Sequence, residues 1–459
     1  LVGTEGSEGS EGWEGGGLDW FRARRLPFLT RRNYHYEMMH LLPWGILAAT
    51  IEGSFAAVVL SKTFEGNPFL IATATATPAA SHVVNIFWGS LAIGRPKLPM
   101  FRLLGSMVSL ILATVCITPQ NSWGGMLFVV QMLAAQIFMS GVINLRSGLW
   151  KLNYPRHIRG RITARLQALR TLTSAMASLL AGWLFDSSPE SYRWVYPAVA
   201  LSGGLAMWIA GGIHPRGERR ELTAIERGEG TLSVSAVFSP SRVFSEMRRV
   251  FREDKAFFQY CKAQMMMGTA NLMTTPVMVV IGTEALNLGY TGNNILLDVI
   301  PKVVMLSSIV MWGAILDRTD TVRARVINCY CWLGMAVFGF LGTICLEHGS
   351  HFGLGTAAAI ALFVVSRFLR GLGIGGGTLI WNIGHLHFAK PHEAELYMGI
   401  HVTLTGIRAI VATYIGMFLY SSIGSGVWLV AAGMTGMAIV GFTRLARDQA
   451  QASGAADQG

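Results

Sequence analysis

The sequence predicts an all-α membrane protein with twelve transmembrane helices in two pseudo-symmetric six-helix bundles. Three observations carry that prediction. Apolar residues make up 52% of the 459-residue chain and charged residues only 14%, with a mean hydropathy of +0.43, whereas a soluble domain carries about a quarter charged residues. Apolar stretches of about 20 residues, the length that crosses the hydrocarbon layer, recur along the chain. The chain also repeats itself at about half its length. Trp88-Gly89 closes one apolar stretch before a basic loop and Trp312-Gly313 closes another, 224 residues later. Tyr36 and Tyr260 keep the offset of 224, Pro78 and Pro301 are 223 apart, and Arg170 and Arg408 are 238 apart. Parallel repeats within an apolar chain are a transporter architecture.

The chain opens on a Gly/Ser/Glu run, followed by Arg22, Arg24, Arg25, Arg31 and Arg32. Residues 1–33 are read as a disordered tail, native or otherwise, ending in a basic juxtamembrane stretch. Candidate spans fill 34–212 at roughly 40–60, 69–91, 99–118, 123–150, 162–185 and 192–212. A second six fill 256–445 at roughly 256–283, 292–316, 324–346, 354–381, 397–420 and 424–444. The polar connection 213–255 ends in SPSRVFSEMRRVFRED, which places Val243, Met247, Val250 and Phe251 on one side of a surface-lying amphipathic helix. Residues 446–459 are read as a disordered tail. With both termini inside, almost all Lys and Arg outside the spans fall on the inner side. Lys62 and Arg193 are the two on the outer side, as the positive-inside rule requires. The expected location is a bacterial cytoplasmic membrane with both termini cytoplasmic.

The net charge of +11 does not indicate nucleic acid, because the basic residues lie between apolar segments and not on one soluble face. Cys116, Cys261, Cys329, Cys331 and Cys345 sit in or beside apolar stretches and read as packing residues. The glycines of Gly371–Gly377 precede no P-loop Lys, so they read as close helix packing. No catalytic set, metal-ligand cluster or nucleotide loop is evident. Neither enzymatic chemistry nor a cofactor is expected.

Charged residues in mid-membrane cost roughly 2.5–3.5 kcal/mol each on insertion scales and face the bundle interior. Here they are Glu52, Arg170, Asp298, Lys302, Arg367, Arg370 and Arg408. Polar residues recur at helical spacing on the same spans: Thr163, Gln167, Arg170, Ser174 and Ser178; His401, Thr405 and Arg408; Gln264, Gly268, Asn271 and Thr275; Asn294, Asp298 and Lys302. Asp298 and Lys302 are four apart with the acid first, the order that favours a helical ion pair.

Twelve spans, two related halves and a loop repeated after the second and eighth spans resemble the major facilitator superfamily. Its loop signature is approximately G-x-L-x-D-R-x-G-R-R. The second copy is similar, with Gly313, Ile315, Asp317, Arg318, Arg323 and Arg325. The first keeps Gly89, Leu91, Gly94, Arg95 and Lys97 but has Ile93 in place of the acid. Asn153 to Arg161, NYPRHIRGR, resembles the family's P-x-x-x-R-G-R loop. Arg367 to Gly373 resembles its Arg-Gly-x-Gly segment.

The resemblance implies alternating access, with a latch that includes Asp317, Arg318, Arg323, Gly89 and Arg95. It also implies a central cavity lined by the spans that carry the polar stripes. The residues expected to bind substrate are Arg170, Arg408, Arg370, Asn271 and Gln167, and Glu52 is expected to couple transport to protons. The partners expected are a small solute, anionic or strongly hydrogen-bonding, and the lipid bilayer, with the chain a monomer. Two other readings stay open: a proton-driven exporter of drugs or metabolites, and a non-transporting assembly or sensor protein on the transporter fold.

Overall fold

The computed structural model describes residues 27–84, 87–88, 91–92, 95–219, 222–223, 240–352, 355–389 and 394–456. Residues 1–26 of the expected N-terminal tail, Gly89, Ile93 and Gly94 lie outside the described residues; residues 28–33 of that tail instead open the first helix, and residues 446–456 of the expected C-terminal tail continue the last one.

Twelve spans follow one another up and down the bundle. α1 runs Phe28–Ile51, breaks, and resumes as Phe55–Thr63. Then come α2 (Pro68–Ala80, with the turn Ser81–Val84), α3 (Lys97–Ala113), α4 (Ser122–Asn153), α5 (Arg156–Ser187) and α6 (Tyr192–Ala210). The surface helix Pro240–Glu253 leads into α7 (Lys255–Val280, extended by the π-turn Ile281–Ala285). α8 starts as Tyr290–Asn294, passes through a π-turn at Ile295–Val299 and continues as Ile300–Arg318. α9 (Thr321–His348), α10 (Thr356–Ile383), α11 (Ala394–Ile423) and α12 (Gly426–Ala456) complete it. Nine helices are long and apolar enough to cross a membrane, and the bent α1 pair makes a tenth, among the described residues.

The helix starts follow ordinary capping chemistry. The side chain of Asn67 accepts from Leu70 N, Asn121 from Gly124 N, Asp254 from Phe257 N and Asp320 from Arg323 N, at 2.8–2.9 Å. Each satisfies a backbone donor that the helix itself leaves open. The surface helix buries Val250 against the start of α7, and Phe251 packs on Phe257 and Phe258.

α1 packs on α5 and α6, and α3 on α4 and α6. In the other half α7 packs on α11 and α12, and α10 on α8 and α9. The halves meet along two seams, α2 against α11 and α5 against α8. One face, here the loop face, carries the short connections 64–67, 118–121, 188–191, 286–289 and 424–425. The other, the terminal face, carries the start of α1, the end of α6, the surface helix and the end of α12.

The two faces are packed differently. One apolar core is continuous across the halves, joining Phe55, Val59 and Phe185 to Val277, Ile281, Tyr290 and Leu296. A second, around Val250, Phe257, Tyr260, Tyr397 and Phe442, belongs to the C-terminal half. Hydrogen bonds join the halves on the loop-face side: Ser61 to Thr283 at 3.0 Å, Lys62 to the Leu288 carbonyl at 2.9 Å, and Thr63 to the Tyr290 hydroxyl at 2.9 Å. Asp186 accepts from the backbone N–H groups of Tyr290 at 2.6 Å and Thr291 at 2.9 Å.

Candidate functional site

The site is built around the break in α1. Gly53 adopts φ +75°, a left-handed conformation that glycine reaches without a Cβ clash. The two parts of α1 are bent by 48°. A break inside a membrane leaves backbone groups that must be satisfied by protein. Glu52 N still donates to Ala48 O at 2.9 Å. Ile51 O accepts from Gln136 Nε2 on α4. Ser54 N donates to Asp298 Oδ1 on α8 at 3.3 Å. The side chains that complete the break therefore come from both halves.

Glu52 sits at the C-terminal end of the first part of α1. Arg170 on α5 donates through Nη1 to Oε1 at 2.6 Å and Oε2 at 2.8 Å. The side chains remain 18% (Arg170) and 25% (Glu52) exposed, so the pair is held but reachable. The polar stripe of α5 is graded along its length. Gln167 is exposed, Arg170 half-buried, and Ser174 and Ser178 buried. The α8 stripe matches it, with Asn294 and Asp298 buried and Lys302 half-buried. Ser178 O accepts from Asn294 at 2.7 Å, and Lys302 Nζ lies 3.4 Å from Ser174 Oγ. The seam is closed at the loop face and opens toward the terminal face.

Asp298 and Lys302 thus have separate partners. The π-turn at Ile295–Val299 shifts the helical register between them, which offsets the four-residue alignment. Arg170 and Arg408 also have separate partners. Arg408 donates to Gln264 O on α7 at 2.7 Å, lying against Gly268 where a Cβ would collide with its guanidinium. Arg370 lies 3.4 Å from Thr275 Oγ1 and 5.9 Å from the Trp332 ring centre. Its Nη1, the Nε of Arg408 and the Nε of Arg170 are buried without a hydrogen-bond partner. Asn271 is half-buried on α7.

The loop residues fall at the terminal face. Asp317, Arg318 and Arg95 are exposed. Arg323 pairs with Asp320 at 3.2 Å, where Asp320 also caps α9. Asp317 makes no ion pair among the described residues.

A second polar group, not anticipated from sequence, lies in the N-terminal half. Glu37 on α1 is buried and accepts from Trp150 Nε1 and, at 3.0 Å, from Tyr154 Oη. His40 Nδ1 pairs with Ala206 O at 2.9 Å and stacks on Trp44. Arg146 on α4 is buried and in electrostatic range of Glu37, Glu52 and Arg170. The signal was present in sequence: Glu37 and His40 continue at helical spacing into the apolar run.

A break held from both halves, beside an interior ion pair and between the two seams where the halves meet, is the anatomy of a secondary transporter. The sequence profile of the Major Facilitator Superfamily matches residues 42–347, and the chain belongs to that family. It is a transporter and not an enzyme. Among solved structures it is similar to a nucleoside transporter, NupG, at 12% identity and TM-score 0.65, covering 91% of this chain and 99% of that one. A D-xylose-proton symporter is similar at 14% identity and TM-score 0.64, covering 89% and 96%. The xylose transporter XylE from E. coli, in a partially occluded inward open conformation, is similar at 15% identity and TM-score 0.58, covering 90% and 96%. No curated protein sequence matches the chain significantly.

Proposed function

We propose that the protein is a proton-coupled secondary transporter of a small anionic solute, working by alternating access. The observation that carries this reading is the half-buried Glu52–Arg170 pair at the break in α1. An anion entering from the terminal face competes with Glu52 for Arg170, whose planar donors suit carboxylate or phosphate. Glu52, once displaced, is a half-buried carboxylate without its counter-ion and takes a proton. Solute and proton are then bound together.

The C-terminal half supports an anion because its interior is basic: Lys302, Arg325, Arg367, Arg370 and Arg408 face one acid, Asp298. Arg370 and Arg408 would receive the solute from that side, with Gln167 and Asn271 as hydrogen-bonding neighbours. On this reading the terminal face is cytoplasmic, the membrane is the bacterial cytoplasmic membrane, and the chain acts as a monomer. Asp317, Arg318, Arg323, Gly89 and Arg95 belong to the latch of the opposite access state.

A second reading has its own support. Glu52 already neutralises Arg170, so a neutral, strongly hydrogen-bonding solute fits the same wall.

Thermal stabilisation of the purified protein by a panel of small carboxylates, phosphates, polyols and nucleosides tests the choice. The anionic reading expects stabilisation by an anion, lost in Arg170→Lys. Stabilisation by neutral polyols or nucleosides alone, retained in that variant, contradicts it.

A further inference from the structure

Asp298 has a role that the Glu52–Arg170 pair does not supply. Its carboxylate comes from the C-terminal half and lies against the break of the N-terminal half, where a Cβ on Gly53 would collide with it. Oδ1 accepts Ser54 N–H at 3.3 Å. Ser54 precedes the second part of α1, Phe55–Thr63, and offers no side-chain cap of its own. Asp298 therefore caps that helix start from across the seam, where the helix dipole favours an anion. Oδ2 is buried and has no hydrogen-bond partner. Lys302, one turn away, is turned to Ser174.

We propose that Asp298 is a second proton-binding site, one that reads the position of the halves: empty while the loop face is closed, filled when it opens. The cap exists because the halves are together at this level. Moving them apart removes Ser54 N–H and the helix start, and leaves a carboxylate in the membrane interior without either donor. A hydronium ion at the loop face then gives up a proton, its O–H bond breaking as one forms at Oδ2, and departs as water, which removes the charge. On closure the cap re-forms and the proton leaves toward the terminal face. That release breaks the O–H bond at Oδ2 and forms one on a water molecule, so the cycle moves a proton and nothing else.

The groups around Asp298 are Glu52 beside the break on α1, Arg170 on α5, Lys302 on α8, and Arg370 on α10 with Arg367 beyond it. Lys302 and Arg370 favour the charged carboxylate in both states. The change on opening comes from α1. Opening therefore costs the charged carboxylate its cap, and acid favours the open state. The inference rests on alternating access but not on Glu52.

Spin-label distances across the loop face test it, with cysteines at Glu190 and Ala285, the five native cysteines replaced and the full chain in nanodiscs. The expected result is a several-fold rise in the open population from alkaline to acid pH. Asp298→Asn abolishes that response, Glu52→Gln keeps it, and Asp298→Glu keeps it with a displaced midpoint. An unchanged response in Asp298→Asn overturns the proposal. So does its loss in Glu52→Gln, which assigns the response to Glu52, or a response that follows sodium at constant pH. Should Asp298→Asn fail to insert, an Asp298→Glu midpoint identical to that of the unmodified protein overturns it.

Discussion

Arg170 donates through one nitrogen, Nη1, to both carboxylate oxygens of Glu52, at 2.6 and 2.8 Å, and so ties α5 to the break in α1. A half-buried, charge-assisted contact of this kind stabilises by about 1–2 kcal/mol, the lower part of the range applying because solvent reaches it. Any anion using Arg170 must displace that contact. Glu52→Gln should therefore bind an anionic solute about tenfold more tightly, the equivalent of about 1.4 kcal/mol. Calorimetric titration checks this; weaker binding would mean that Glu52 itself contacts the solute.

Arg170→Lys and Arg408→Lys should each insert normally and each lose about thirtyfold in solute affinity, roughly 2 kcal/mol, because a point-like ammonium replaces a planar fork. The double variant should lose less than the sum, since both sites share one ligand. Strict additivity would place the two arginines on separate tasks.

Asp186 holds the first turn of α8 through two backbone N–H groups of the opposite half. Asp186 is exposed, so Asp186→Asn should weaken loop-face closure by only about 1 kcal/mol, or about fivefold in population. Label distances across that face read it. An unchanged distribution would remove Asp186 from the gate.

Asp317 is exposed at the terminal face and without an ion pair among the described residues. Its loss cannot weaken the present arrangement and acts on the opposite one. Asp317→Asn should increase the terminal-face-open population, seen as greater labelling of interior positions from that side. A shift the other way would contradict the latch.

Much of the fold was legible because hydropathy and the half-chain repeat act over long stretches and tolerate local exceptions. The site was legible in its residue types but less in its pairings. Arg170 and Arg408 are related by the repeat. However, the residue 224 beyond Glu52 is Pro276, so Arg408 lacks an acidic partner there and turns to the Gln264 carbonyl. The Glu-Gly-Ser sequence was visible at 52–54. Its break depends on Gln136 and Asp298, remote in sequence and brought in only by packing. Glu37 escaped notice because charged and polar neighbours lower the hydropathy of the first turns of α1, which hid the start of that helix.

The most direct test of proton-coupled solute transport is solute-driven proton movement in proteoliposomes, followed with a pH dye trapped inside. Addition of the stabilising anion should acidify the lumen, and Glu52→Gln should abolish the signal while retaining solute binding. Anion uptake with no proton movement, or acidification undiminished in Glu52→Gln, would contradict the account.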